Sequence, residues 1–286
     1  MFDIRILNYE FASPGDLGLH SSVPTITFRG AFGYALAQVI ARAGCIPSLK
    51  SQVELYRRIF MPANDEGSGL SRNQDLARPF ALRGFYSRPD GHSFILQILL
   101  FGIAAEHEIF FDHVAEVMSY MGIGRENRPC HFEKLGSSRV TPAEPDPCGE
   151  LLVNFITPCC RMKSDGRVYE EYIPFHVLLP RLVDRIVELD NIYGSGDLED
   201  RWDIGEMKRN SRFIAGEVID GGVSRSRRVS GRTGQEMSIS GFSGRILYTG
   251  DFTPFLAPLG FLPHINIGRF NVFGCGWCSM RCPPPE

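Results

Sequence analysis

No apolar run in this sequence is long enough to cross a bilayer. The longest charge-free stretch near its middle, FILQILLFGIAA at 94–105, has 12 residues, against roughly 20 for a spanning helix. The start, MFDIRIL, lacks the unbroken apolar core of a secretory signal because Asp3 and Arg5 interrupt it. The expectation is a cytoplasmic protein with no membrane partner. Cysteine is sparse, at 8 of 286 residues, too few for a disulfide scaffold, so free or buried thiols are expected. An excess of positive charge is also missing: 30 Lys and Arg face 33 Asp and Glu, for a net charge of -3. Any polyanion must therefore be held by a local patch rather than by the global field.

What is present is an ordinary globular composition, 43% hydrophobic, 11% aromatic and 22% charged, which excludes a disordered or fibrous chain. At about 150 residues per domain, the length suggests two domains.

Apolar patterning divides the chain into two similar halves. Residues 2–11 mix alternation with Ile and Phe and predict a strand. Phe28, Phe32, Ala35, Leu36, Val39 and Ile40 follow at the three-and-four spacing of a helix. Gly30 and Gly33 inside it each cost about 1 kcal/mol relative to Ala, which predicts another backbone packed closely there. Residues 93–101 predict a buried strand, and Phe110, Phe111, Val114, Val117, Met118 and Met121 share one helix face. Three Pro and no periodicity mark 137–149 as a linker. Beyond it come a strand at 151–157, an amphipathic helix after Pro174 with Pro180 as a kink, strands at 213–219 and 237–248, a short helix at 252–259 and an extended segment at 265–277. Each half resembles a β-α-β-β-α-β unit. The expected fold class is α+β, with two tandem ferredoxin-like domains at 1–140 and 150–286.

The C-terminal third departs from average composition. Residues 216–276 hold 12 glycines in 61 positions, about 20% against a usual 7%. Glycine admits positive φ and lets a backbone approach another backbone or a phosphate. Arg225, Arg227, Arg228, Arg232 and Arg245 lie in the same stretch, with Glu236 the only acid between the first and the last. Charge alone leaves two readings open, a solvated basic loop or a polyanion patch.

Residues 241–276, GFSGRILYTGDFTPFLAPLGFLPHINIGRFNVFGCG, resemble the C-terminal motif of the CRISPR-associated precursor-crRNA-processing endoribonucleases of the RAMP superfamily. In that family a Gly-Phe-x-Gly strand and a short helix precede a glycine-rich loop of the form GKxxxFGxG. FRGAFGYAL (28–36), YRRIF (56–60), RPF (78–80) and RRVSGRTGQEM (227–237) resemble further family landmarks in the same order. The resemblance implies tandem ferredoxin-like domains, CRISPR repeat RNA (precursor crRNA) as substrate, cleavage without metal or other cofactor, and either solitary action or assembly with other CRISPR effector-complex subunits. Three departures stand out. Arg269 replaces the loop lysine, exchanging a point charge for a planar fork. Phe270 and Val272 stand where the family favours small and hydroxylic residues, and the paired cysteines of many members are reduced to Cys45.

In the implied chemistry the RNA 2′-hydroxyl attacks the adjacent phosphate, leaving a 2′,3′-cyclic phosphate and a 5′-hydroxyl. That requires a base, an acid and stabilisation of the added negative charge. Histidine carries protons near neutrality. The resemblance puts His264, just ahead of the glycine-rich loop, first among catalytic candidates, followed by His20 in the link before the first helix, with Tyr34 on that helix sharing or orienting. A packed histidine, an ordinary loop histidine and a core-edge tyrosine are the respective structural alternatives. Arg29, Arg228, Arg232 and Arg269 are assigned to phosphate contact, with Gly241, Gly244, Gly268, Gly274 and Gly276 as the RNA-binding glycines. Two rivals stay open: a RAMP subunit that grips the repeat without cutting it, and a zinc or iron-sulfur site on Cys275-x-x-Cys278-x-x-x-Cys282.

Overall fold

The computed structural model describes residues 2–19, 23–45, 53, 77–124, 126–229 and 236–283. In the first half, strand β1 (Ile4–Ala12), helix α1 (Thr25–Gly44), strands β2 (Phe80–Tyr86) and β3 (Ser93–Phe101), helix α2 (Glu108–Met121) and strand β4 (His131–Val140) follow in order. The sheet runs β2-β3-β1-β4, with every neighbour antiparallel. Leu7, Tyr9 and Phe11 of β1 are buried in one core with Phe28, Phe32 and Ala35 of α1 and Phe111, Val114 and Met118 of α2. Phe28 stacks on Phe94 with ring centres 4.6 Å apart, and Phe32 lies 5.1 Å from Phe80, so aromatic pairs fix α1 on the sheet.

Two expectations change here. Residues 137–140 belong to β4, which pairs with β1 as far as Ile4 opposite Val140. Most β4 side chains face solvent, which erases the alternation that would reveal a strand. Gly30 has nothing within 4 Å of where a Cβ would stand, and Gly33 meets only the guanidinium of Arg29. Among the described residues no second backbone packs on these glycines.

The second half repeats the plan with strand β5 (Glu150–Cys160), a β6 (Met162–Ser164) and β7 (Arg167–Tyr169) hairpin, helices α3 (Phe175–Tyr193), α4 (Leu198–Arg201) and α5 (Ile204–Asn210), strands β8 (Ala215–Val229) and β9 (Glu236–Thr249), helix α6 (Leu256–Leu259) and strand β10 (Cys278–Arg281). Its sheet runs β10-β5-β9-β8, the same order as the first when strands are counted within each half. This is the α+β ferredoxin-like arrangement expected. Helix α3 continues through Pro180. The strand expected at 213–219 extends to Val229, because beyond the last β5 partner of β9, Gly241, the two strands continue as a two-stranded arm.

The halves are packed together, not strung apart. Phe2, Ile4, Ala81, Leu99 and Phe101 from the back of the first sheet share a core with Val183, Ile186 and Leu189 of α3. The Tyr193 hydroxyl donates to the Ala77 carbonyl at 2.9 Å, and the Ala77 N–H donates to Glu188 at 2.9 Å. Cys148 and Cys282 are disulfide-bonded with Cα atoms 6.2 Å apart, which corrects the expectation of thiols throughout. No helix among the described residues is long and apolar enough to cross a membrane.

Candidate nucleic-acid interface

The glycine-rich segment does not form the extended strand expected for 265–277. It turns back on itself through positive φ at Gly268 (78°), Phe270 (66°), Gly274 (92°) and Gly276 (76°), with an isolated bridge from Arg269 to Cys160 before strand pairing resumes at β10. Glycine is required at two of these positions. A Cβ on Gly274 would overlap the Thr25 hydroxyl, and one on Gly276 would overlap the Ile267 carbonyl oxygen, at φ values other residues adopt only with strain.

The loop is seated on the first half. Thr25, in the first turn of α1, donates its hydroxyl to the Phe273 carbonyl at 2.7 Å. Asn266 is fully buried and donates to the carbonyls of Leu82 on β2 (3.3 Å) and Cys275 (3.1 Å). Its amide oxygen accepts from Arg83 Nε at 2.7 Å, while Arg83 Nη1 donates to the Pro263 carbonyl at 2.8 Å. Arg83 is 4% exposed and lies over the Trp277 ring at 5.3 Å. Burial lowers its pKa to about 9. A buried guanidinium thus locks both ends of the loop to β2.

His264 ends a short turn immediately before this seat and is half-buried. Burial and the nearby positive charge of Arg83 lower its pKa below the ordinary histidine value, which favours the neutral imidazole, the form that accepts a proton.

Beside the loop, basic groups converge on one aromatic ring. Arg29 of α1 lies 5.8 Å and Arg228 of β8 4.6 Å from the centre of the Phe273 ring, both in cation–π range. Arg29 is held down to about 10 by burial and by two positive neighbours, Arg78 and Arg228. Its Nε is buried without a hydrogen-bond partner among the described residues. Burial and the positive charges of Arg78 and Arg228 disfavour the charge on Arg29, a cost that a bound anion would offset.

The remaining candidates separate. Gly268 packs near the Cys160 carbonyl, and Arg269 is exposed with its backbone N–H donating to that carbonyl at 3.0 Å. Gly241 and Gly244 serve strand contact: a Cβ on the first would meet the Cys159 carbonyl, and one on the second the Asp220 carbonyl. Tyr34 is 60% exposed on α1. Arg225 and Arg227 project from the exposed side of the β8–β9 arm, whereas Arg245 is engaged by Asp220 at 2.8 Å. His20, Arg232 and the YRRIF segment lie outside the described residues.

Sequence reasoning missed Arg83, Asn266, Thr25 and Arg78. Its one available signal was the arginine of RPF, Arg78, just ahead of β2. The cysteine rival does not assemble. Cys275 packs with Cys160, Cys278 lies in the second-half core, and Cys282 is bonded to Cys148. Among the described residues no three metal-binding side chains gather.

Comparison with known proteins bears on the fold and on the family of the second half. Residues 4–145 match a family model described as an N-terminal domain, and residues 153–278 match that of the CRISPR-associated endoribonuclease Cas6. No curated protein matches the sequence significantly. Among solved structures, the fold is similar to that of the Cas6 (TTHB231) product complex, with a TM-score of 0.59 and 13% identity over 98% of this chain and 99% of that one. It is also similar to the Cas6 (TTHA0078) product complex, with a TM-score of 0.56 and 15% identity over 97% and 99%. With its glycine-rich motif seated on the N-terminal sheet, the second half of this chain carries, over residues 153–278, the domain of the CRISPR-associated endoribonuclease Cas6.

Proposed function

We propose that the chain binds the repeat of precursor CRISPR RNA across the Arg29–Phe273–Arg228 surface and cuts it without a metal. The observation that carries this is the convergence of Arg29 and Arg228 on the Phe273 ring of the glycine-rich loop, with Arg78 a further positive neighbour of Arg29. Guanidinium forks grip phosphate bidentately, and aromatic rings such as Phe270 offer stacking faces to unpaired bases.

In the reaction, the 2′-oxygen forms a bond to phosphorus as the bond from phosphorus to the 5′-oxygen breaks. His264, favoured in its neutral form, takes the 2′-hydroxyl proton. His20 is the candidate acid that returns a proton to the departing 5′-oxygen, and Tyr34 orients the phosphate from α1. The arginines offset the charge that accumulates on the phosphate oxygens, a contribution strengthened by partial burial. Gly268, Gly274 and Gly276 let the backbone approach the RNA, and Arg232 and Arg269 extend the contact.

The test is incubation with 5′-labelled repeat RNA in EDTA, with the products mapped on a sequencing gel. One cut ending in a 2′,3′-cyclic phosphate is expected. His264→Ala is expected to lower the rate at least about 100-fold, the scale of a lost acid–base group, with little change in binding. Tight binding with no cut would replace this reading with that of an RNA-holding subunit.

A further inference from the structure

On the second half, the β6–β7 hairpin, α3, α5 and the turn after α5 line a surface cavity of about 260 Å³. Its wall is predominantly basic: Lys163, His176, Arg181, Lys208 and Arg212 against Asp165 and Asp184. Asp184 is engaged by Lys208 at 2.8 Å and by Arg181 at 3.8 Å. Lys163 and Arg212 are exposed and make no ion pair among the described residues. The wall is stiffened from behind, because Arg181 donates from Nε (3.1 Å) and Nη2 (2.6 Å) to the Lys163 carbonyl.

The cavity is joined to the glycine-rich loop by the chain itself. Arg269 bridges to Cys160, exposed Arg161 follows, Met162 lies against Gly268, and Lys163 opens the cavity. Lys163 is three residues along the chain from the loop contact at Cys160, with a turn at Arg161 between β5 and β6, so even fully extended chain would set them no more than about 10 Å apart. Three exposed basic residues, Arg269, Arg161 and Lys163, thus lie on the stretch of chain that links the loop contact to the cavity.

We propose that this cavity is a second phosphate subsite, which holds the backbone of the bound RNA beyond the nucleotides at the glycine-rich loop. It rests on the RNA-binding reading above and adds to it a separate anchoring point that takes no part in the chemistry. Lys163 and Arg212 are its phosphate ligands; Arg181 and Lys208 hold its shape while neutralising Asp184.

The experiment compares the full-length protein with a Lys163→Ala, Arg212→Ala double variant, both exposed positions, on repeat RNA carrying flanks of about ten nucleotides, a length typical of one strand-binding site. Affinity for the flanked RNA is expected to fall about tenfold or more, with the slope of log K against log salt reduced by about 1.4 for two lost single-strand phosphate contacts. The difference should vanish when the RNA is trimmed to the nucleotides around the cut, and the rate at saturating RNA should be unchanged. A charge-keeping Lys163→Arg, Arg212→Lys variant should retain most of the affinity. Equal binding of flanked RNA by variant and wild type would overturn the subsite, as would calorimetric binding of inorganic phosphate there with RNA affinity unaffected. A wild-type protein that binds no repeat RNA would overturn this proposal together with the reading beneath it.

Discussion

Asn266→Ala should unseat the glycine-rich loop, and the structure sets how much that costs. The side chain accepts a charge-assisted bond from Arg83 at 2.7 Å and donates to two buried carbonyls at 3.1 and 3.3 Å. A hydrogen bond to a charged group contributes about 1.5–3 kcal/mol, and a neutral one about 1 kcal/mol. Truncation also leaves Arg83 Nε buried without its acceptor, although Nη1 keeps the Pro263 carbonyl. The sum is about 3–5 kcal/mol. At about 2–4 °C per kcal/mol for a chain of this size class, Tm should fall on the order of 10 °C. Denaturant unfolding and a thermal scan, both without RNA, read this directly. Asn266→Asp is the companion: it keeps an acceptor for Arg83 but turns two donor contacts into acceptors facing carbonyls, so it should remain clearly destabilised. A loss below about 1 kcal/mol in both variants would refute the seat as described, since buried partners left unmatched cost more than that.

Other consequences can be checked independently. Gly276→Ala should sharply lower stability or soluble yield, because its Cβ would overlap a backbone carbonyl, whereas Gly30→Ala, in open space on α1, should stabilise by about 0.5–1 kcal/mol; equal Tm values for the two would contradict the loop geometry. Protonation of His264 removes the base, and burial and Arg83 disfavour that protonation, so the acid limb of the single-turnover rate should lie below the ordinary histidine value of about 6.5. Removing the charge with Arg83→Gln should move this limb upward, and a wild-type limb at or above neutrality would exclude His264 as base. Arg228→Ala should weaken RNA binding about tenfold and reduce the salt slope by about 0.7; an unchanged slope in filter binding would take Arg228 out of phosphate contact.

Much of the fold was legible because its signals are local. Phe28, Phe32 and Leu36 recur at the helical period, and the same residues fill the first core. The β-α-β-β-α-β rhythm could be read for the same reason, since alternation and periodicity need only neighbours in the chain. Where an element does not bury a face, the signal fades. Strand β4 faces solvent along most of its length, and β8 runs out as an arm beyond the last β5 partner, so both were missed or cut short. Glycine proved equally readable in number and ambiguous in role: Gly30 lies in the open, Gly241 serves strand packing, and Gly274 serves the loop.

The sequence by itself determined that this chain carries two sheet-and-helix halves and ends in a glycine-rich, arginine-flanked motif of the Cas6 type. The tertiary structure alone decided which side chains hold that motif. Arg83 and Asn266 are 183 positions apart and Thr25 and Phe273 are 248 apart, distances over which no periodicity carries information. Only the packing of one half on the other brings β2 and α1 beneath the loop, and burial there is what makes a single arginine or asparagine decisive.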